Sequence, residues 1–454
     1  PYMDVEDKET GRPKVVIATV KGDVHDIGKN ITAIVLTCNG FDVKDLGVMV
    51  DKETILAEAE RIDADIIAVS GLITPSLFQM EELCREMTER GMDTPLMIGG
   101  ATTSALHTAV KLAPLYKHVF YGPDASAGAV MAKKCMIGRE EFEIEEHRKQ
   151  EEIRRMYMKK EEEFEKQASD AVSHGFAEDS YLETKPEDMI CKEIPLDEVM
   201  PYFDWKMFYA IWGVRYGSSS MEAMELVQLR RDAEDEISLG NFRIMLSAKF
   251  FPAYRENDDI VISDGDAKRR IPMMRQEKGD MRSLCDYIID KESGRTSPMG
   301  CFAVSVHAAD AHEEGCCCPA CSNKYEDLIG KAVRMTLAEA ASSWLDRKIL
   351  MEMQDNASGK APKVIKPAAG YSSCPDHPLK RDILTLLGES PTGGLKIKLT
   401  ESCAMTPEAS ICGTIFIHPE AKYPEIRVIS REQYDSYVQR RGMNEETARR
   451  FLGH

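Results

Sequence analysis

Within Gly22-Asp23-Val24-His25-Asp26-Ile27-Gly28, one imidazole stands between carboxylates. A neutral imidazole ligates a metal through one ring nitrogen, while an acceptor on the other nitrogen fixes the tautomer. Asp23, two residues before His25, has the reach to be that acceptor. On spacing alone the stretch also reads as an ordinary polar loop. The apolar run Lys14-Val15-Val16-Ile17-Ala18-Thr19-Val20 precedes it, and a helical pattern begins near Lys29. The loop therefore lies beyond the carboxyl end of a strand, where open α/β sheets bind ligands.

The elements that must position this loop alternate regularly. Strands are predicted at Val15–Val20, Phe41–Leu46, Asp65–Ser70, Pro95–Ile98 and His118–Tyr121. Helical periodicity fills the gaps at Asn30–Cys38, Lys52–Ile62, Leu77–Arg90 and Ser104–Leu112. This alternation predicts a doubly wound parallel sheet in flavodoxin-like (Rossmann-like) order. Two strands run into Ser70-Gly71-Leu72-Ile73-Thr74-Pro75-Ser76 and Ile98-Gly99-Gly100-Ala101-Thr102-Thr103. Taken singly, Gly-Gly-Ala is a tight turn, and a Ser or Thr after a strand is a helix N-cap.

From Gly138 to about Lys185 the composition turns to dense mixed charge, which reads as an exposed helical linker without sustained apolar heptads. Residues 186–454 lose the alternation. Strand candidates there are Asp259–Ser263, Cys301–His307, Leu395–Leu399, Thr414–His418 and Ile426–Ile429, set among helices at about Asn323 to Met353 and Arg431 to Arg440. The expected organisation is an α/β domain over 1–138, a charged linker over 139–185, and an α+β domain with a mostly antiparallel sheet over 186–454.

The 454 residues are 43% hydrophobic and 30% charged, as in globular proteins, and suffice for two or three domains. A formal net charge of -19 argues against nucleic acid or an anionic membrane as partner, because both need a basic face. No apolar run approaches the ~20 residues of a membrane span. Thirteen cysteines, an odd number scattered mostly singly, read as reduced thiols in a cytoplasmic protein. The chain opens on Pro1 and is read as a piece of something longer.

Asp23-x-His25-x-x-Gly28, followed in order by the Ser70–Ser76 and Ile98–Thr103 stretches, resembles the cobalamin signature of base-off corrinoid proteins. Val20 to Ser126 is similar to the cobalamin domain of the cobalamin-dependent methionine synthase family in particular. The resemblance implies that His25 is the lower axial ligand to cobalt, in place of the cofactor's own dimethylbenzimidazole. It also implies a proton relay Ser76–Asp23–His25, and cobalamin contacts from Gly22, Asp23, Val24, Asp26, Gly28, Ser70, Gly71, Thr74, Gly99, Gly100 and Ala125.

The second half resembles that family's activation domain, which binds S-adenosylmethionine. The matching stretches are Asp204-Trp205, Phe251-Pro252-Ala253-Tyr254-Arg255, Lys366-Pro367-Ala368-Ala369-Gly370-Tyr371 with Cys374-Pro375-Asp376-His377, Leu399-Thr400-Glu401-Ser402, and His418-Pro419-Glu420-Ala421-Lys422-Tyr423. By this resemblance Asp204 pairs the ligand's ammonium, Lys366 pairs its carboxylate, and Ala368 and Gly370 give backbone access. Tyr423 walls the sulfonium. The chain departs from the family pattern at Lys366 (arginine in the family), Thr406 (tryptophan) and Pro424 (tyrosine). Lysine lacks the planar fork of arginine. Gly315-Cys316-Cys317-Cys318-Pro319-Ala320-Cys321, near His307 and His312, has one half of a zinc-knuckle spacing and reads as a thiol-rich loop.

The implied activity is methyl transfer from 5-methyltetrahydrofolate to homocysteine through methylcobalamin, with reductive reactivation by S-adenosylmethionine. The implied partners are homocysteine and methyltetrahydrofolate domains and a flavodoxin-like or flavoprotein electron donor. Zinc is expected only in a part preceding this chain, which alone is not expected to run the full reaction. The alternative is a corrinoid-carrier or regulatory module whose second domain binds partners without productive S-adenosylmethionine chemistry.

Overall fold

The computed structural model describes residues 11–165, 175–212, 220–240, 242–277, 279–308, 324–353, 361–389, 393–426 and 429–452. It divides into two compact units, the first running to Lys166.

In the first unit, β1 (Lys14–Thr19), β2 (Asp42–Asp45), β3 (Ile66–Ser70), β4 (Leu96–Gly99) and β5 (Val119–Tyr121) form a parallel five-stranded sheet in the order β2-β1-β3-β4-β5. The flavodoxin-like expectation is met. Helices α1 (Ile27–Cys38), α2 (Lys52–Ile62), α3 (Thr74–Glu89), the short α4 (Ala105–His107) with a π turn over Thr108–Leu112, and α5 (Ala125–Ile137) connect the strands. Central strands such as β1 are apolar on both faces because helices cover both. Val16, Ile67, Leu83 and Leu96 pack on one side of the sheet, and Val15, Ile17, Leu36 and Ile66 on the other.

The segment expected to be an exposed helical linker opens with a helix, as expected, but one that docks on this unit. Helix α6 (Arg139–Glu165) buries Phe142 against Phe120, with ring centroids 4.9 Å apart. Its Gln150 donates to Val119 O at 2.8 Å, and His147 Nε2 lies 2.6 Å from Lys117 O. Side chains of α6 thus satisfy carbonyls at the edge of the sheet, which an uncovered edge strand leaves open. Phe142, His147 and Gln150 among many charges do not show as a heptad, so dense charge concealed a docking face. Farther along, Met156 and Met158 are exposed, as a linker requires.

The second unit is built on a seven-stranded sheet in the order β11-β14-β10-β7-β8-β9, with β6 also pairing β7. The strands are β6 (Met189–Ile194), β7 (Phe242–Glu256), β8 (Asp259–Asp264), β9 (Ala267–Pro272), β10 (Ser297–Ala308), β11 (Lys363–Ile365) and β14 (Ser410–His418); β12 (Lys398–Leu399) and β13 (Met405–Thr406) form a separate pair. All its pairings are antiparallel, as expected. Helices α7 (Leu196–Val199), α8 (Trp205–Ile211) and α9 (Ser220–Ser238) precede β7; α10 (Lys324–Met353), α11 (Leu379–Leu386), α12 (Arg431–Arg441) and α13 (Glu445–Leu452) follow β10. Long β7 pairs β10 along one edge and splits its other edge between β6 and β8.

Three strand expectations change. Leu395–Leu399 narrows to Lys398–Leu399, because Leu395 and Ile397 enter the core as irregular backbone. Ile426 is buried outside any strand, its N–H bonded to Ser372 O; Arg427 and Val428 lie outside the described residues. β6, β7 and β9 lacked clean alternation: β7 is buried over nearly continuous stretches, and β9 begins with four exposed residues. The Cys316–Cys321 loop and His312 lie outside the described residues. No helix among the described residues is long and apolar enough to cross a membrane.

Candidate functional site

In the first unit, the chain leaves β1 through a turn closed by Asp23 N–H on Val20 O, and Asp23 ends fully buried. Its Oδ1 accepts from His25 N at 3.1 Å and lies 2.6 Å from His25 Nδ1. Its Oδ2 accepts from Leu72 N at 2.6 Å, Ile73 N at 3.3 Å and Ser76 Oγ at 2.6 Å. Burial by itself would push this carboxyl up. The His25 hydrogen bond and charge, with Ser76 and the Leu72 amide, outweigh burial and hold it down at about 2. Asp23 is therefore a carboxylate at neutral pH, and a neutral His25 must carry its proton on Nδ1 to meet it. That leaves the Nε2 lone pair as the free electron pair of the ring, on a side chain 16% exposed.

The backbone around this imidazole is tied from two sides. Thr19 Oγ1 donates to His25 O at 3.0 Å, and Met49 N donates to Asp23 O at 3.1 Å. Lys29, in the first turn of α1, is buried and pairs Asp45 at 2.6 Å. Sequence reasoning passed over Lys29; a lysine next to Ile27 on the buried side of an apolar helix was the available signal.

Gly71 and Gly100 meet where the loops after β3 and β4 cross. At Gly100, with φ +112, a Cβ would run into the backbone of Gly71, and a Cβ at Gly71 would run into Ser76. The two loops are stitched by Gly71 N on Gly99 O at 3.2 Å and Thr102 Oγ1 on Gly71 O at 3.2 Å. Gly28 is different: exposed on α1, it would place a Cβ within 4 Å of no protein atom, so internal packing does not ask for glycine there. Ser70 ends β3, Thr74 opens α3, Gly99 ends β4 and Ala125 opens α5, all at the carboxyl end of the sheet with Gly22, Val24 and Asp26. Val48 and Met49, on the loop after β2, and Leu106, in the short α4, are exposed apolar side chains at this same end. An imidazole aimed outward, glycine-lined loops and an apolar rim fit a large flat group with a tail, which is the shape of a corrinoid.

In the second unit, a cleft of about 510 Å³ is lined by Lys366, Ala368, Tyr371, Tyr423, Glu339 and Asp346, among others. The Pro367–Tyr371 loop is fixed on both sides. Pro367 O accepts from Thr414 N at 3.1 Å, and Gly370 N donates to Cys374 O at 2.7 Å. Gly370 has φ +96 and lies on the His377 ring, so any Cβ there would strike the imidazole. Asp376 anchors the turn by accepting from Tyr437 Oη at 2.8 Å and Arg441 Nε at 2.6 Å. His418 is buried, with Nε2 3.0 Å from Ser180 Oγ and Nδ1 accepting from Glu420 N; burial pushes it down to about 4. It orders the segment that carries Tyr423 into the cleft.

Lys366, Ala368 and Tyr423 therefore converge, with Gly370 shaping the loop. Asp204 does not line this cleft. It accepts from Lys206 N at 2.8 Å at the start of α8, the ordinary work of a helix cap. Lys366 is engaged as well as buried. Its Nζ is 2.9 Å from Asp346 Oδ1, bonds Ser342 O, and lies 5.4 Å from the centre of the Phe302 ring. Burial pulls its pKa down against the raising effect of Asp346 and Glu339. Glu339 and Asp346, both on α10, escaped the sequence reading because a helix of mixed composition hides which carboxylates face a cleft.

Comparison with known proteins agrees with the fold of each unit. Residues 13–130 match the B12 binding domain model. The second unit is similar to the crystal structure of the MetH reactivation domain bound to AdoHcy, at 26% identity and TM-score 0.52, over 62% of this chain and 94% of that one. A cobalamin-binding protein from Desulfitobacterium hafniense DCB-2 shares 30% identity over 27% of this chain and 58% of its own, at TM-score 0.25. The methanol:cobalamin methyltransferase complex MtaBC from Methanosarcina barkeri shares 27% identity over 30% of this chain and 50% of its own, at TM-score 0.27. Residues 195–442, more than half of the 454, match the activation domain of vitamin B12 dependent methionine synthase, and the chain belongs to that family.

Proposed function

We propose that the first unit carries cobalamin and the second binds S-adenosylmethionine, together serving methyl transfer from 5-methyltetrahydrofolate to homocysteine and its reductive reactivation. The observation that carries this reading is the chain Ser76 Oγ–Asp23–His25 Nδ1, with both contacts at 2.6 Å, which leaves His25 Nε2 as the outward electron pair. Cobalamin, when bound, supplies a cobalt centre that accepts and gives up a methyl group. His25 would hold it from below; Gly28, Gly71, Gly99 and Gly100 would give its ring and tail room. Asp23 keeps the imidazole in one tautomer and one orientation. In the second unit Tyr423 and the Pro367–Gly370 backbone receive the sulfonium ligand.

Modules that bind homocysteine and methyltetrahydrofolate, and a flavodoxin-like electron donor, are the partners this reading requires. Free thiols such as Cys84 and Cys301 support a reducing, cytoplasmic setting. The test is reconstitution of the full chain with methylcobalamin, reduction to cob(II)alamin and EPR. Nitrogen hyperfine splitting from the protein is expected, and His25→Gly should abolish it while cofactor is retained. Splitting that survives in His25→Gly refutes the assignment of the ligand. Calorimetric titration of the same chain with S-adenosylmethionine tests the second unit; no heat there favours the corrinoid-carrier reading.

A further inference from the structure

We propose that Asp346 is the built-in counterion of Lys366 and makes the second-unit cleft select its ligand by positive charge, favouring sulfonium S-adenosylmethionine over uncharged thioether S-adenosylhomocysteine. This rests on the S-adenosylmethionine reading of the cleft given above.

A lone buried ammonium would be a strong magnet for any carboxylate. Lys366 is not in that condition. Its side chain is 6% exposed, it donates to Ser342 O, and its Nζ stands 2.9 Å from Asp346 Oδ1 as an ion pair. Glu339 also faces it from two α10 turns further back, on the exposed rim. The charged groups lining the cleft are Glu339, Asp346 and Glu425 against Lys366 and Lys380, three carboxylates to two ammoniums. Lys380 is held at 3.0 Å from Cys403 O and 3.3 Å from His377 Nδ1.

An entering carboxylate must therefore share Lys366 with Asp346, a like charge. The ligand offsets that repulsion only if it brings cationic charge to the carboxylates. S-adenosylmethionine carries an ammonium and a sulfonium against one carboxylate; S-adenosylhomocysteine carries the ammonium alone. Burial pushes the Asp346 carboxyl up, so it gains from a nearby cation. Donation of the methyl group leaves a neutral thioether and removes the charge that held the ligand, so the same carboxylates hasten release of the spent product.

The experiment is calorimetric titration of the full chain with S-adenosylmethionine and S-adenosylhomocysteine, in the unmodified protein and in Asp346→Asn, Asp346→Glu and Glu339→Gln. The unmodified chain should prefer S-adenosylmethionine. Asp346→Asn should lower the ratio of the two affinities by roughly five-fold, the size of one partly exposed charge contact. Asp346→Glu should keep the preference. Because each ratio is taken within one protein sample, a general loss of affinity does not imitate the effect. Glu339 is exposed, so Glu339→Gln leaves packing intact and should lower the ratio in the same direction even if Asp346→Asn does not fold. Binding of both ligands with an unchanged ratio in Asp346→Asn, or in Glu339→Gln where the former does not fold, overturns the role of Asp346 and leaves the ligand reading standing. Failure of the unmodified chain to bind either ligand overturns both.

Discussion

Asp23→Asn is the substitution whose consequences the geometry fixes most tightly. Every partner of this carboxylate donates: His25 N and Nδ1 to Oδ1, and Leu72 N, Ile73 N and Ser76 Oγ to Oδ2. An asparagine has one oxygen and one NH2 for these two sides. The Leu72 and Ile73 amides cannot reverse, so the oxygen must face them and the NH2 must face His25. Imidazole can answer only by accepting at Nδ1, which moves its proton to Nε2, the atom that must stay bare to ligate cobalt. The unfavourable facing of His25 N–H and NH2 remains, and one charge-assisted contact is lost outright. At about 1.5–3 kcal/mol for a hydrogen bond to a charged group, the first unit should lose roughly 3 kcal/mol without cofactor. Removing such a partner of a metal-bound histidine lowers affinity by about 10–100-fold. The assays are urea unfolding of the apo chain, and ring-nitrogen NMR of His25 to read the tautomer. EPR of the reconstituted cob(II)alamin form reports ligation. An Nδ1–H ring with undiminished nitrogen splitting in Asp23→Asn would refute this reasoning.

Two further outcomes follow from buried contacts. Asp286 is fully buried, 2.7–2.8 Å from Arg275 and 3.1 Å from Arg255. Burial raises its carboxyl, but Arg275, the Ser283 amide and Arg255 bring it below the ordinary range. Asp286→Asn should cost the second unit about 1.5–3 kcal/mol at neutral pH in urea unfolding, because Arg275 and Arg255 each lose one of two carboxylates, keeping Asp258 and Asp290 respectively. A depressed pKa stabilises above the unfolded value of about 4 and the contribution fades as pH falls through the folded value, so the gap between variant and parent must narrow in acid. A pH-independent gap would count against the ion network. Phe142→Ala should destabilise the first unit by about 3 kcal/mol in thermal or urea unfolding, whereas a value near zero would return α6 to the role of a free linker.

Legibility differed between the two units for a physical reason. In the first, strands buried on both faces write near-continuous apolar runs and their helices write a 3.6 period, so Val15–Val20 or Lys52–Ile62 could be placed within a residue or two. The candidate loop was legible because a close approach excludes side chains, which leaves Gly71 and Gly100 as a mark. The docking of α6 was not, since it turns on Phe142 and on amide and imidazole contacts to an edge strand that appear in no periodic pattern. In the second unit, β7 serves β6 and β8 on one edge in two registers, and such a strand shows no single alternation. Lys366 could be read as a cleft residue from its loop. Its partner Asp346, twenty positions earlier on another element, could not, because a long-range ion pair leaves no local trace.

Both sites place a charged side chain almost wholly inside the protein, and the two are used differently. Asp23 is saturated by donors of its own chain and acts on the ligand only through His25. Its charge is spent on orientation, and nothing that enters the site competes for it. Lys366 is itself part of the cleft wall, so its partner Asp346 competes with whatever carboxylate arrives. The same kind of substitution, carboxylate to amide, therefore has opposite character at the two positions. At Asp23 it breaks an arrangement that ligand binding presupposes, and the loss should fall on the cofactor forms that take His25 as ligand. At Asp346 it removes a competitor and a cation partner together, so the loss should fall on the charged ligand and spare the neutral one. A buried charge that is satisfied before the ligand arrives gives rigidity; one that must be shared with the ligand gives selectivity.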